Sequence, residues 1–289
     1  MISRELSARL EHRLRVPFLG ARRLSGGDIN EAYEVDFADG STRFVKTHAG
    51  APDALFPAEA AGLDWLRDAD ALRIPAVIAV SSPGESPPYL MLELIRSARP
   101  ARDFDDRLGV GLAALHRAGA PSFGFRSDNF IGSLPQRNEV RSTWAEFYRD
   151  QRLQPQLERA VAARRASYSM RKAFERLFAR LEELVGPEEP PARLHGDLWG
   201  GNLHVDDLGQ PCLIDPAVYG GHREVDLAMM RLFGGFSERV FAAYDEAHPL
   251  AGGAAERVAL YQLYPLLVHV NLFGGSYVAS VERALSRYA

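Results

Sequence analysis

The chain has a single cysteine, Cys212, in 289 residues. One thiol excludes an intramolecular disulfide and makes a reducing, cytoplasmic setting the simplest one. Its neighbours in "QPCLID" are those of a buried strand thiol, not a reactive one. Nowhere do eighteen apolar residues run together, and the amino-terminal stretch "MISRELSARLEHRLRVPF" lacks the apolar centre of a signal peptide, so neither a membrane span nor a leader is expected. There is no excess of one charge either. Thirty-four Lys+Arg against 38 Asp+Glu leave a net charge of −4, which draws the molecule to neither nucleic acid nor an anionic membrane. Repeats of fixed period, low-complexity tracts and charged tails are all missing. So is any G-x-x-x-x-G-K-[ST] stretch, which argues against a P-loop NTPase. No His-x-x-x-His or Cys-rich spacing supports a zinc site.

What is present is enough apolar material, 46% of residues, to fill a large core in one or two lobes. Ile2, Leu6, Leu10 and Leu14 recur every four residues, as on one face of a first helix. "FLGARRLSGG" ends in a glycine turn, and the alternating runs "AYEVDFA" and "TRFVKTH" are joined by Asp39-Gly40, a strong hairpin signal. "PDALFPAEAAGLDWLRDAD" is helical in composition, with Leu55, Glu59 and Leu63 on one face. "PAVIAVSS" and "PPYLMLELI" are two further strands around a Pro/Gly-rich turn. The result is an antiparallel sheet with one helix, a β-rich lobe over residues 1–95. From 96 to 289 the character is helical. Phe104, Leu108, Leu112 and Leu115 mark one helix face, helix-prone sequence covers roughly 142 to 186, and helix resumes after about 223. One hairpin interrupts this part, turning at Asp207 to Gly209. The fold class is α+β.

That hairpin carries the densest chemistry, in "RLHGDLWGGNLHVDDLGQPCLIDPAVYGG". A two-stranded ribbon brings the residue before its first strand, Asn202, close to the one after its second, Asp215. Carboxamide and carboxylate oxygens suit Mg²⁺, which is bound through one or two protein oxygens plus phosphate and water. Asp197, on the glycine-rich loop ahead of Asn202, is placed to take a proton from a substrate hydroxyl or to orient it. Asp as base, with Asn and Asp on metal, is the division of labour in phosphoryl transfer. His195, together with His116, His204 and His222, is expected to be packed and hydrogen-bonded instead of catalytic.

The amino-terminal lobe supplies the remaining parts. Lys46 lies in the third strand, where an ammonium can reach nucleotide phosphates, and Glu59 in the next helix can orient it. Gly26, Gly27, Asp28, Ile29 and Asn30, between the first two strands, can lay backbone N–H groups over phosphates. Glu93, Leu94 and Ile95, at the end of the fifth strand, are positioned to bind adenine. Taken singly, a strand lysine or a glycine turn is ordinary. Their order along the chain, with H-x-D-x-x-x-x-N and a strand-closing Asp downstream, is not.

With these residues the chain resembles a protein-kinase-like phosphotransferase, and more closely the fructosamine kinase (ketosamine-3-kinase) family. "LHGDLWGGN" is similar to that family's catalytic loop, Trp199 being the discriminating residue. "FGFRSDNFIGSLPQRN", followed by Trp144, Phe147-Tyr148 and Arg152-Leu153, is similar to a second signature, as are "HREVDLAMMRLFGGF" and "YQLYPLLVHVNLFGGSY". The resemblance implies a two-lobe fold, ATP and Mg²⁺ as cofactors, Asp197 as base, Asn202 and Asp215 as metal ligands, and Lys46 with Glu59 at the phosphates. It also implies that Asp226 braces the catalytic loop. Pro-Ala after Asp215, where protein kinases have Phe-Gly, fits the small-molecule branch. A cysteine that some members carry in the nucleotide loop is replaced near Asp28, so redox control through it is not expected.

The implied reaction phosphorylates the 3-hydroxyl of a ketosamine, free or protein-bound, giving a phosphoester that falls away and so deglycates the amine. Trp199 is a candidate substrate contact, with Asp128-Asn129 and His269-Asn271 as candidate hydroxyl ligands. One rival reading is the same fold acting on an aminoglycoside-type or choline-type alcohol. The other is a non-catalytic nucleotide-binding scaffold, which the presence of Lys46, Glu59, Asp197, Asn202 and Asp215 together disfavours. No oligomeric state follows from the sequence.

Overall fold

A computed structural model describes residues 2–24 and 30–288 of the chain. They form two compact units, 1–101 with 204–215, and 102–203 with 216–289. The first unit is built on five antiparallel strands, β1 (Phe18–Leu24), β2 (Glu31–Phe37), β3 (Thr42–Thr47), β4 (Val77–Val80) and β5 (Tyr89–Glu93), in the order β1-β2-β3-β5-β4. Asp39-Gly40 turns the β2–β3 hairpin. Gly40 takes φ 80° there, and Asp39 Oδ1 accepts from the Ser41 N–H at 2.9 Å.

Tyr33, Val35 and Phe37 alternate onto one face of the sheet, as the pleat requires, and helix α1 (Arg4–Leu14) covers it with Leu6 and Leu10. The Ser3 hydroxyl caps α1 by accepting from the Leu6 N–H. Helix α2 (Leu55–Arg67) buries Phe56, Ala60, Leu63 and Leu66, a stripe offset by one residue from the expected Leu55-Glu59-Leu63 face; Leu55 is only half-buried. That offset turns Glu59 toward β3. Pro57 sits in the first turn, where its missing N–H breaks no helical bond.

The second unit is mainly helical. Helix α3 (Phe104–Arg117) buries Phe104, Leu108, Leu112 and Leu115. Helical segments follow at Trp144–Phe147, Tyr148–Leu153, Gln154–Ala162 and Tyr168–Ala179, and then at Glu224–Phe233, Glu238–Ala247, Ala254–Phe273 and Tyr277–Leu285. Two strand pairs absent from the sequence reading appear here. Asn129–Ile131 pairs with Leu134–Gln136, and Ala192–Leu194 pairs antiparallel with Tyr219–Gly221. At three residues each, these strands are too short to show alternation, and the second pair joins segments 25 or more positions apart. The expected hairpin forms from Leu203–Val205 and Pro211–Leu213, and residues 204–215 group with the sheet unit. No helix among the described residues is long and apolar enough to cross a membrane.

Candidate active site

In the first unit Lys46 lies in β3, between Ala32 of β2 and Leu90 of β5. Its side chain is 8% exposed, and its Nζ donates to Glu59 Oε1 of α2 at 2.8 Å and to Asp215 Oδ1. Burial alone would lower its pKa. The carboxylates of Asp215 and Glu59 outweigh that and raise it, so the ammonium stays charged. Glu59, buried with a second carboxylate close by, is pushed up against the pull of Lys46. Asp215 lies two residues beyond the end of the hairpin's second strand and takes φ 55°, a left-handed conformation that aspartate adopts more readily than most residues other than glycine. Arg15, Asp70 and Arg164 share this conformation, so it marks a local turn in the backbone.

The same unit holds the other upstream candidates. Glu93 uses its N–H to donate to the Ala76 carbonyl at 2.9 Å, and its carboxylate accepts from Arg73 at 2.5 Å and from the Ala76 N–H at 3.2 Å. Leu94 and Ile95 follow the end of β5 and are half-buried. Asn30 is half-buried at the start of β2, whereas Gly26, Gly27, Asp28 and Ile29 lie outside the described residues. Cys212 is buried in the hairpin, where burial pushes its thiol up to about 12 and leaves it protonated.

In the second unit the Asp197 loop is anchored at both ends. Ala192–Leu194 leads into it, with Leu194 opposite Tyr219, and the His195 carbonyl accepts from the Ala217 N–H at 2.9 Å. Gly196 has φ 81°, and a Cβ there would meet the Ala217 oxygen at 2.1 Å, so only glycine passes. Past it, Asn202 Nδ2 donates both to the Asp197 carbonyl at 2.7 Å and to its Oδ2 at 3.1 Å. Asn202 is buried and closes a 3₁₀ turn over Gly200–Asn202. The carboxylate of Asp197 is therefore held in one direction before any substrate arrives.

Beneath the loop, Asp226 is fully buried and accepts from the His195 N–H at 2.8 Å and the Gly196 N–H at 2.9 Å. His116 Nε2 lies 3.2 Å from the same carboxylate, and its Nδ1 lies 2.8 Å from the Tyr244 hydroxyl. Burial would raise the carboxyl of Asp226, but these hydrogen bonds and nearby histidines hold it below the usual range. Asp226→Ala, which orphans two buried N–H groups, is expected to cost about 3 kcal/mol in urea unfolding. With its folded pKa depressed, the stability Asp226 contributes is fully present above the unfolded carboxyl value, about 3.9, and is lost as pH falls through the folded one. Asp226→Asn should therefore show a weaker loss of stability on acidification than the wild type.

Trp199 is 42% exposed, with its indole folded over Gly201, where a Cβ would meet the ring at 2.3 Å. It meets Phe233 edge to face at 6.4 Å, and His269 lies 4.7 Å from Phe233. Phe273 and Tyr277 extend this half-exposed aromatic row. Burial lowers the pKa of His269, so its ring is neutral. The other polar candidates are engaged within the protein, Asp128 while exposed and Asn129 while buried. Asn129 donates to the Val218 carbonyl, Asp128 accepts from the Asn138 N–H, and Asn271 donates to Gln156. Sequence reasoning missed Phe233 beside Trp199, because a lone Phe carries no signal until its neighbours are known.

Among the described residues no three His, Cys, Asp or Glu side chains cluster as a metal site of their own. The Asn202 carboxamide and the Asp215 carboxylate each offer a hard oxygen donor, the type taken by an ion that draws most of its ligands from phosphate and water.

A five-stranded sheet presenting a buried Lys-Glu pair, and a helical unit presenting a locked Asp-to-Asn loop, define a protein-kinase-like phosphotransferase. The aminoglycoside phosphotransferase APH(4)-Ia, in ternary complex with AMP-PNP and hygromycin B, has this fold (TM-score 0.67, 17% identity, 99% of each chain covered). The chain belongs to the fructosamine kinase family, whose profile matches residues 2–289. A Thermobifida fusca protein solved under the provisional name fructosamine-3-kinase is 40% identical, with a TM-score of 0.88 over 98% of each chain. A probable ketoamine kinase of Synechocystis is 40% identical over 92% of this chain and 89% of its own. The chloroplastic protein-ribulosamine 3-kinase of Arabidopsis thaliana is 37% identical over 92% of this chain and 81% of its own.

Proposed function

We propose that this protein transfers the γ-phosphoryl group of ATP to the 3-hydroxyl of a ketosamine, so that the unstable phosphoester is shed and the amine is deglycated. The observation that carries this reading is the Asp197 loop, whose carboxylate is fixed by Asn202 and whose backbone is tied to Asp226, in a chain of the fructosamine kinase family. Asp197 accepts the proton of the attacking hydroxyl and orients it. Lys46, kept charged by Glu59, holds ATP phosphates. Unit 102–203 with 216–289 carries base and acceptor, and the sheet unit carries the nucleotide. Gly26 to Asn30 supply N–H groups to the phosphates, while at Glu93 to Ile95 adenine takes the Glu93 carbonyl and the Ile95 N–H, the Glu93 N–H being used by Ala76.

Asn202 and Asp215 would hold Mg²⁺. With Nδ2 of Asn202 given to Asp197, the Asn202 oxygen is its ligating atom. When bound, the ion neutralises charge on the phosphates. The protein's share of the rate is positioning, since a loose transition state asks for little covalent chemistry. A reducing cytoplasm suits one buried thiol, and no nucleic acid or membrane partner is involved.

Trp199 supplies the stacking surface for the sugar or its amine substituent. Trp199→Ala is expected to raise KM for a fructosyl-amine roughly three- to ten-fold, the worth of one aromatic contact, with KM for ATP unchanged. An unchanged ketosamine KM would remove Trp199 from the site.

The reading is tested by ATP consumption across fructosyl-, ribulosyl- and erythrulosyl-amines, a glycated protein, an aminoglycoside and choline, with the phosphate position assigned by NMR. Phosphorylation at the ketosamine 3-hydroxyl is expected. Turnover only with the aminoglycoside or choline would overturn it.

A further inference from the structure

Arg152 is wholly buried, and among the described residues no carboxylate appears as its hydrogen-bonding partner. It lies on a six-residue π-helical turn, Tyr148–Leu153, a rare geometry often found at functional sites. Among the described residues its guanidinium is held by neutral groups. Nη1 donates to the carbonyls of Arg137 at 2.5 Å and Gln151 at 2.9 Å, and Nη2 donates to Asn138 Oδ1 at 2.7 Å. The rest of its charge is met by aromatic faces. It lies 3.7 Å from the ring centroid of Tyr219, 4.6 Å from Phe147 and 5.5 Å from Tyr264.

A buried cation without a counter-ion is costly, and an apolar side chain of the same volume would ordinarily serve packing better. What distinguishes this one is where its partners lead. Asn138 Nδ2 donates to Asn129 Oδ1 at 2.9 Å, and Gln136 Nε2 donates to that same oxygen at 2.8 Å. From there the bonds end on the chain just beyond Asp215. Asn129 Nδ2 donates to the Val218 carbonyl at 2.9 Å, and Gln136 Nε2 to the Ala217 carbonyl at 3.0 Å. The Tyr264 hydroxyl closes the network on Gln136 Oε1 at 2.6 Å. Ala217 in turn holds the His195 carbonyl, and Tyr219 stands opposite Leu194 in the strand pair that leads into Asp197.

Two sequence signatures, the 123–138 stretch with its Trp144-to-Arg152 continuation and, through Tyr264, the 261–277 stretch, thus converge on one buried guanidinium. We infer that Arg152 is a positioning residue for phosphoryl transfer. Through Tyr219, and through the Asn138-Asn129-Gln136 bonds to residues 217 and 218, it sets the strand from which the Asp197 loop is hung.

The inference rests on the reading of Asp197 as the base. The test is steady-state kinetics of Arg152→Met, Arg152→Lys and Gln136→Met beside the wild type, with a fructosyl-amine and ATP, per folded molecule by circular dichroism. Arg152→Met removes charge and bonds at near-constant volume, and its kcat is expected to fall roughly ten- to a hundred-fold, the cost of a misplaced reacting group. KM for ATP should move less than about two-fold, since uniform binding is untouched. Arg152→Lys, which keeps the cation over Tyr219, should recover most of kcat. Gln136→Met should reproduce the kcat loss, and it carries the test if Arg152→Met does not fold. Folded variants with wild-type kcat and only a lowered unfolding midpoint would overturn the inference, because a purely packing role predicts that pattern. A wild type inactive on every ketosamine would instead overturn the functional reading.

Discussion

Asp197→Asn is expected to lower kcat roughly 10²- to 10⁴-fold, the range for loss of a positioned acid or base. The substitution is close to isosteric, and an oxygen remains to accept the Nδ2 bond of Asn202. The loop bonds to Asp226 and Ala217 are made by the backbone and do not change. What is removed is the negative charge and the proton affinity facing the hydroxyl. KM for ATP should therefore stay within about two-fold, because binding common to ground and transition states is preserved. Steady-state assays with a fructosyl-amine at saturating ATP decide it, and a variant retaining near wild-type kcat would show that another group takes the proton.

The second large effect belongs to Lys46→Met. In the wild type one ammonium serves two carboxylates, and its side chain and that of Glu59 are both nearly out of solvent. Removing it leaves Glu59 buried beside Asp215 with no cation between them. Breaking such a pair costs about 3 to 5 kcal/mol, to be read from urea unfolding at neutral pH. In the variant Glu59 has a folded pKa above its unfolded one. Its protonated form is then the better accommodated, so the variant should recover stability as pH falls below the folded value, and by more than the wild type, in which Lys46 opposes the upward shift of Glu59. Turnover should fall roughly 10²- to 10³-fold, as when one charge-stabilising donor is deleted, with a raised KM for ATP. If the variant unfolds at the wild-type urea concentration and keeps its ATP affinity, Lys46 is a surface residue in function.

Much of this was legible in the linear chain because its signals are local. Asp39-Gly40 between alternating runs is a hairpin by its turn chemistry alone, and Leu6 with Leu10 is a helix face by its period. The Asp197-to-Asn202 spacing was legible for the same reason, since five residues and two glycines can close only a small loop. The short strands Ala192–Leu194 and Tyr219–Gly221 were not, because each makes sense only beside its partner. Asn129 and Asn271 read as free hydroxyl ligands in sequence. In the fold they bond inward, to Val218 and Gln156. Arg152 appeared as one letter of a signature, and nothing in its neighbours tells that its charge is spent on three aromatic rings.

The sequence by itself determined the α+β class, the strand and helix that present Lys46 and Glu59, the glycine loop around Asp197, and family membership, since each rests on residue types at short fixed spacings. Tertiary structure alone decided that residues 204–215 join the sheet unit and carry Asp215 to Lys46, 169 positions upstream. It alone decided that Asp226 lies under His195 and Gly196, and that Trp199 meets Phe233 and lies close to His269. The physical reason is the range of the forces involved. Turn geometry and helix period act within a few residues, whereas the pairing of buried charges and the stacking of rings are settled only when distant segments have excluded water from between them.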